Sequence, residues 1–294
     1  MNPTTDCSNT QEQLLKWAGE TSFWIADVLE LCRPMLSEKS SLDDHTKYVL
    51  WQLAASCHST SESALLLVCN VRLWDADVLV RSVVEGTLKF VFLTIGTEAE
   101  RKIKIEEFDT HLAAFGQMKR HQRLEEFLAI VDDPNADEWK PFRDMLLTND
   151  RLAEFREAYP RKTRQQLEQK WSFGGICAAL RKSGQKGIDS FGHMLFNYGL
   201  SSHVAHQDTD GIGMVWDRNN RSERRRIAVE LAHGGRLVGD IATMAWLRAH
   251  TLFQFVGADR QPLKDMWKRR EVIAQETADA VKHFHEVEYG VELP

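Results

Sequence analysis

The chain has 294 residues, 43% apolar and 27% charged, enough to bury one large core or two small ones. Its 17 glycines and 7 prolines are few for that length, which disfavours turn-rich β architecture and favours long helices. The formal charge of −6 divides into −10 over residues 1–150 and +4 over residues 151–294, so the basic excess lies in the second half.

Between Gln11 and Leu31, the residues Leu14, Leu15, Trp17, Phe23, Trp24, Val28 and Leu31 recur mainly at three- and four-residue spacings. This predicts an amphipathic helix, stopped by Arg33-Pro34. A second helix is predicted from after Ser41, with Asp43-Asp44 in its first turn, to about Cys69, and a third from Trp74 to Ile95, ended by Gly96. The helical pattern continues from Glu98 to about Ile130, breaks at Asp132-Asp133-Pro134-Asn135, and resumes in shorter pieces to Ala158. Tyr159-Pro160 coincides with the change of charge sign. It marks the boundary between an acidic N-terminal helical part, 1–158, and a C-terminal helical part with basic patches, 159–294, packed as one domain.

Helices are predicted over Gln165–Arg181, with a weak point at Gly174-Gly175, and over Ile188–His206. Residues 207–220, with Asp208, Asp210, Gly211 and Gly213, read as a loop before two closing helices, Ser222–Phe255 and Pro262–Val287. Alternating strand patterns are missing, so the fold class is all-α, a bundle of about ten helices. Nine tryptophans spread through these helices are expected mostly as core or interface anchors.

No stretch approaches the roughly 20 apolar residues of a membrane span, and Met1–Thr10 is polar, so a cytoplasmic protein without a membrane partner is expected. Five cysteines without a C-x-x-C pair disfavour disulfides and structural zinc and read as small core residues. Glu107 and His111, His203 and His206, and His283 and His285 are the spaced pairs that could ligate a metal, but Glu-x-x-His and His-Glu-x-x-His are absent and no metal is expected. Phosphate loops, dinucleotide fingerprints and nucleophile elbows are also missing, so no cofactor is expected.

Two constellations carry chemistry. Arg81 and Glu85 fall on one helical stripe with Trp74, Val78, Leu88 and Phe92, which threads a charge pair into an apolar face. With Arg preceding Glu, exposed helix support explains the pair poorly; if buried, it needs further partners or a use, a structural bridge between helices being the plainer account. Tyr198, Ser202 and His206 stand at i, i+4 and i+8, which lines up a phenol, a hydroxyl and an imidazole. Asp208 or Asp210 is placed to orient or charge that imidazole, and the plainer account is a histidine capping its helix. The basic excess lies in Arg161-Lys162-Thr163-Arg164, Lys170, Arg181, Lys182 and Lys186, and in Arg218, Arg221, Arg224, Arg225 and Arg226. These could meet phosphates or form solvated helix faces.

Asp75-Ala76-x-x-Leu79-x-Arg81-x-x-x-Glu85, followed by Tyr198-x-x-x-Ser202-x-x-x-His206, resembles the bacterial helical family catalogued as domain of unknown function 5677, over about residues 45–255. That family is more distantly similar to the HEPN nucleases and abortive-infection effectors, helical proteins that often dimerise and cut RNA without a metal. Their Arg-x4–6-His signature is met formally by Arg226 and His233, but position 227 is Ile where a polar residue is usual. Arg226 and His233 are therefore read as part of a solvated helix face.

The resemblance implies a metal-independent ribonuclease or defence effector. Arg81 and Glu85 would hold phosphate and His206 would act as acid or base, helped by Tyr198 and Ser202. His203, Asp208, Asp210, Arg218, Arg221 and Arg225 would bind around them, with RNA as partner and a homodimer as the assembly. The alternative is a non-catalytic helical module that binds a protein partner or a nucleotide signal. The same residues would then form a structural polar network or a ligand pocket.

Overall fold

The computed structural model describes residues 3–37, 40, 42–184 and 192–290, and among these there are helices and no strand. Helix α1 spans Pro3–Cys32, eight residues earlier than the apolar periodicity begins, and a short 3-10 turn at Arg33–Leu36 follows it. Its buried side is Leu14, Trp17, Ala18, Thr21, Trp24, Ile25 and Val28, a strict three-and-four spacing, while Leu15 and Phe23 are exposed. Helix α2, Asp44–Cys69, starts where the Asp43 side chain accepts the Thr46 N–H. Helix α3 is Leu73–Thr94.

Next come α4, Glu98–Glu106, opened by a Thr97/Glu100 capping box, a π-helical turn at Glu107–His111, and α5, Leu112–Leu128. The short α6, Lys140–Arg143, leads to α7, Asn149–Ala158, and α8, Arg161–Lys170, so the chain does break at Tyr159-Pro160. Helix α9 is Phe173–Lys182. Gln165–Arg181 is thus two helices, with the break at Trp171-Ser172, where Ser172 Oγ accepts the Gly175 N–H. Helix α10 is Gly192–His206; residues 188–191 of that predicted helix, and Lys186, lie outside the described residues.

Residues 207–220 are not a loop. Helix α11 occupies Thr209–Asn220, because Asp208 caps it by accepting the Gly211 N–H at 3.1 Å, which outweighs the poor helix propensity of Gly211 and Gly213. Helix α12, Glu223–Val256, ends at Gly257 in the left-handed conformation, φ +69°. The last predicted helix is likewise two, α13, Gln261–Lys268, and α14, Glu271–Tyr289, parted at Arg269-Arg270 without a glycine or proline to signal it.

By its contacts the chain forms two units, one from residues up to Ile95 and from Leu180 on, the other from Gly96 to Ala179. In the first, α12 packs on α1, α3 and α14, α2 packs on α1 and α3, and α10 lies on α3 and α11. Leu237, Val238, Ile241, Ala242 and Leu252 of α12 are fully buried, which makes this helix the axis of the unit. In the second, Ala114, Phe115, Met118, Leu152 and Phe155 form a small core. There the Glu107 carboxylate accepts from Lys170 Nζ at 2.5 Å and Trp171 Nε1 at 2.9 Å, so it is held in a structural contact.

Cys32, Cys57 and Cys177 are buried and Cys69 is half-buried. Trp17, Trp24 and Trp171 are core anchors as expected, but Trp216 is 71% exposed and is a surface residue.

Candidate functional site

The two sequence motifs meet across α3 and α10. Arg81 Nη2 donates to the Tyr198 hydroxyl at 2.9 Å, and that hydroxyl donates to Glu85 Oε1 at 2.7 Å. Arg81 Nε lies 3.5 Å from Glu85, and its guanidinium covers the Tyr198 ring at 4.4 Å. Burial, and then the bond to Glu85, raise the phenol's pKa, so Tyr198 stays protonated and acts as a donor. Ser202 and His206 do not join this contact, and His206 is exposed.

The neighbouring serine does the work instead. Ser201 Oγ donates to Asp77 Oδ1 at 2.7 Å, and Asp77 Oδ2 accepts from His233 Nε2 at 2.9 Å and from Arg236 Nη2 at 2.5 Å. His233 is buried, which overturns its reading as a solvated residue: it stands one helical turn before Leu237 on the buried side of α12. Arg218 Nη2 donates to His233 Nδ1 at 2.7 Å, so the ring's single proton sits on Nε2, facing Asp77. The Arg218 guanidinium also covers the Trp74 ring at 4.2 Å, and Trp74 meets His233 edge-on at 4.9 Å. One carboxylate therefore ties α3, α10 and α12 together, and a stacked cation adds α11.

Burial pushes the His233 imidazole down to about 4 against the pull of Asp77. Burial alone would raise the Asp77 carboxyl, but the His233 hydrogen bond and the Arg236 charge outweigh it and hold the group at about 2. Between pH 6.5 and 4 the unfolded chain carries a proton on this ring that the folded chain does not, so acid favours unfolding. Stability is expected to be fully present above pH 6.5 and to fall by about 2 kcal/mol from pH 7 to pH 5 on this account. Urea titrations across that range measure it. His233→Gln should flatten the slope, and a variant with the wild-type slope would remove His233 as its source.

The space beside this network is small. A pocket of about 10 Å³ is lined by Asp77, Arg81, Tyr198, Ser201, Arg236 and Asp240. That is room for a water and not for a nucleotide.

The polar residues at the end of α10 serve a turn. Asp208 N–H reaches His203 O at 3.4 Å and Gln207 N–H reaches Val204 O at 3.2 Å, with Gln207 left-handed at φ +50°. His203 Nδ1 lies 2.7 Å from Asp208 Oδ2, and this bond raises the His203 pKa. Asp208 therefore orients His203 and α11, not His206. Asp210 is exposed in the first turn of α11. Arg221 pairs with Asp217 and Glu288, and Arg225 with Glu288 at 3.0 Å.

A larger groove of about 760 Å³ opens where the α2–α3 turn faces α10 and α11. Arg72, Trp74, Asp75, Trp216, Arg218 and Asn219 supply its polar and aromatic groups, and Leu67, Val71, Ile212 and Val215 its aliphatic wall. The α2 end repeats the α10 turn. Val71 is left-handed at φ +58°, and the Val71 and Arg72 N–H groups reach Val68 O and Leu67 O, both at 2.9 Å. The groove had no single sequence signal, because two stretches more than a hundred residues apart, 67–79 and 204–219, build it.

Among the described residues no group of three or more His, Cys, Asp or Glu side chains gathers as a metal site would. No helix among them is long and apolar enough to cross a membrane.

Fold and site define an all-helical protein whose α3, α10 and α12 are cross-linked by a buried carboxylate and flanked by an aromatic, cation-bearing groove. Residues 47–223, more than half of the chain, match the model of DUF5677, a family of unknown function, and the chain belongs to that family. No curated protein and no solved structure matches it. The matched span contains Asp77, Arg81, Tyr198 and every residue lining the groove, whereas His233 and Arg236 lie beyond it.

Proposed function

We propose that this protein is a non-catalytic helical binding module whose ligand is a nucleotide signal, held in the groove between the α2–α3 turn and α11. The observation that carries this reading is that two tryptophans and two arginines, Trp74, Trp216, Arg72 and Arg218, line one groove of about 760 Å³, with the Arg218 guanidinium over the Trp74 ring. Tryptophan rings stack on bases and guanidinium groups match phosphate oxygens, so this lining suits an aromatic anion. Trp74 Nε1 and Arg218 Nε are buried behind that lining and have no acceptor among the described residues. The Asp77 network is then the scaffold that fixes the helices forming it.

Calorimetric titration of the full chain with mononucleotides and cyclic dinucleotides tests the proposal. At least one should bind, and Trp216→Ala should weaken it about tenfold through lost stacking. Absence of heat with every nucleotide would exclude this ligand class and leave a protein partner as the occupant.

A second reading, a HEPN-like metal-independent ribonuclease acting in bacterial defence, is favoured by the meeting of Arg81, Glu85 and Tyr198 from motifs more than a hundred residues apart. In it Arg81 and Glu85 hold phosphate, and His206 is the acid or base. Cleavage of total RNA by the wild type, lost in both Arg81→Ala and His206→Ala, would carry this reading; intact RNA sets it aside. Under either reading we propose a cytoplasmic homodimer, and sedimentation that shows only monomer would remove the assembly.

A further inference from the structure

One buried cation belongs to neither the Asp77 network nor the groove and lines a cavity of its own. Arg248, on α12, is only 7% exposed. Among the described residues the one acceptor shown for its guanidinium is the Thr87 hydroxyl of α3. Among the described residues no carboxylate forms a salt bridge with it, and the ionisable groups that act on it are the thiols of Cys32 and Cys57. Burial pushes the Cys32 thiol up to about 12, so at neutral pH Cys32 is no counter-ion. Burial also lowers the Arg248 pKa from its ordinary value, but a guanidinium stays charged in proteins. A buried ion left without an opposite charge costs several kcal/mol, so such a cation calls for an anion.

Arg248 lines a cavity of about 20 Å³ between α1, α2, α3 and α12. Ile25, Val28, Leu36, Ala54 and Phe90 give it an apolar wall, and His58, 3.7 Å from Glu62, is its other ionisable group besides Cys32 and Arg248. A space of that size holds a water or a small ion and excludes a carboxylic ligand, a phosphate or a nucleotide. The apolar wall favours a weakly hydrated, singly charged ion over a strongly hydrated one.

We propose that Arg248 holds a small monovalent inorganic anion of the chloride class in this cavity, as a structural component of the core between α1, α2, α3 and α12. The site shares no lining residue with the groove and stands independently of the function proposed for it.

Thermal melts of the full chain in sodium chloride, bromide or gluconate at equal ionic strength, with chloride-35 line widths, test it. At tenfold excess over its dissociation constant, chloride should raise the midpoint by about 3–6 °C over gluconate. Bromide should do the same, and the protein should broaden the chloride line until bromide competes it away. Arg248→Met should abolish both effects. Ala54→Ile, which fills the cavity and keeps the cation, should abolish them too and serves if the first variant fails to fold. Equal midpoints in all three salts with no broadening would overturn the site. So would a chloride effect retained in Ala54→Ile, which would mark a general salt effect.

Discussion

Replacing Asp77 with alanine is expected to cost about 3–5 kcal/mol of stability, because it removes the shared acceptor of three buried or half-buried donors. His233 Nε2–H and Ser201 Oγ–H lose the acceptor shown for them, and Arg236 keeps its bond to Asp240, at 3.1 Å. Chemical denaturation of Asp77→Ala measures the loss; a change under about 1 kcal/mol would mean the network contributes little net stability. His233→Ala removes the same bond from the other side. The double variant should therefore fall well short of the sum of the two, as residues in one network do.

The second large effect is expected at Gly211. A methyl group there would lie 2.3 Å from the His203 carbonyl oxygen and 2.5 Å from its carbon, and backbone cannot rotate away as a side-chain tip can. Gly211→Ala should push α11 off the end of α10, cost about 3 kcal/mol, and weaken whatever ligand the groove takes. Gly213 supplies the control on the same helix, since a methyl there meets nothing within 4 Å. Gly213→Ala should leave the melting point unchanged or raise it, by up to about 1 kcal/mol of helix propensity. Equal effects of the two substitutions would show that the close crossing of α10 and α11 is not what Gly211 supplies.

The all-helical class was legible because three-and-four spacing survives along every long segment, and α2 and α3 begin and end within a residue or so of their signals. Arg81, Glu85 and Tyr198 were legible as polar interruptions of apolar helix faces. Their meeting was not, since nothing local states which helices become neighbours. Asp77 was missed although it shares the buried stripe with Val80, Val84 and Leu88, a pattern in which a carboxylate needs a partner. Ser202 stood in for Ser201 because regular spacing fixes a face only to within a residue. His233 was discounted because the Arg-x6-His spacing was weighed and the apolar company of His233 on α12 was not. Helix α11 stayed hidden because its glycines argue for a loop, while the cap that overrides them is a contact with a single aspartate side chain.

Among the described residues two that are not glycine are left-handed, Val71 and Gln207, and both line the groove, each closing one of its helices, α2 and α10. Glycine would take either conformation without penalty, and a branched valine is among the residues least suited to it. A chain selected for stability alone would carry glycine at both places. This one keeps an isopropyl group and a carboxamide there, so two side chains at the groove are held in a conformation that costs about 1–3 kcal/mol each.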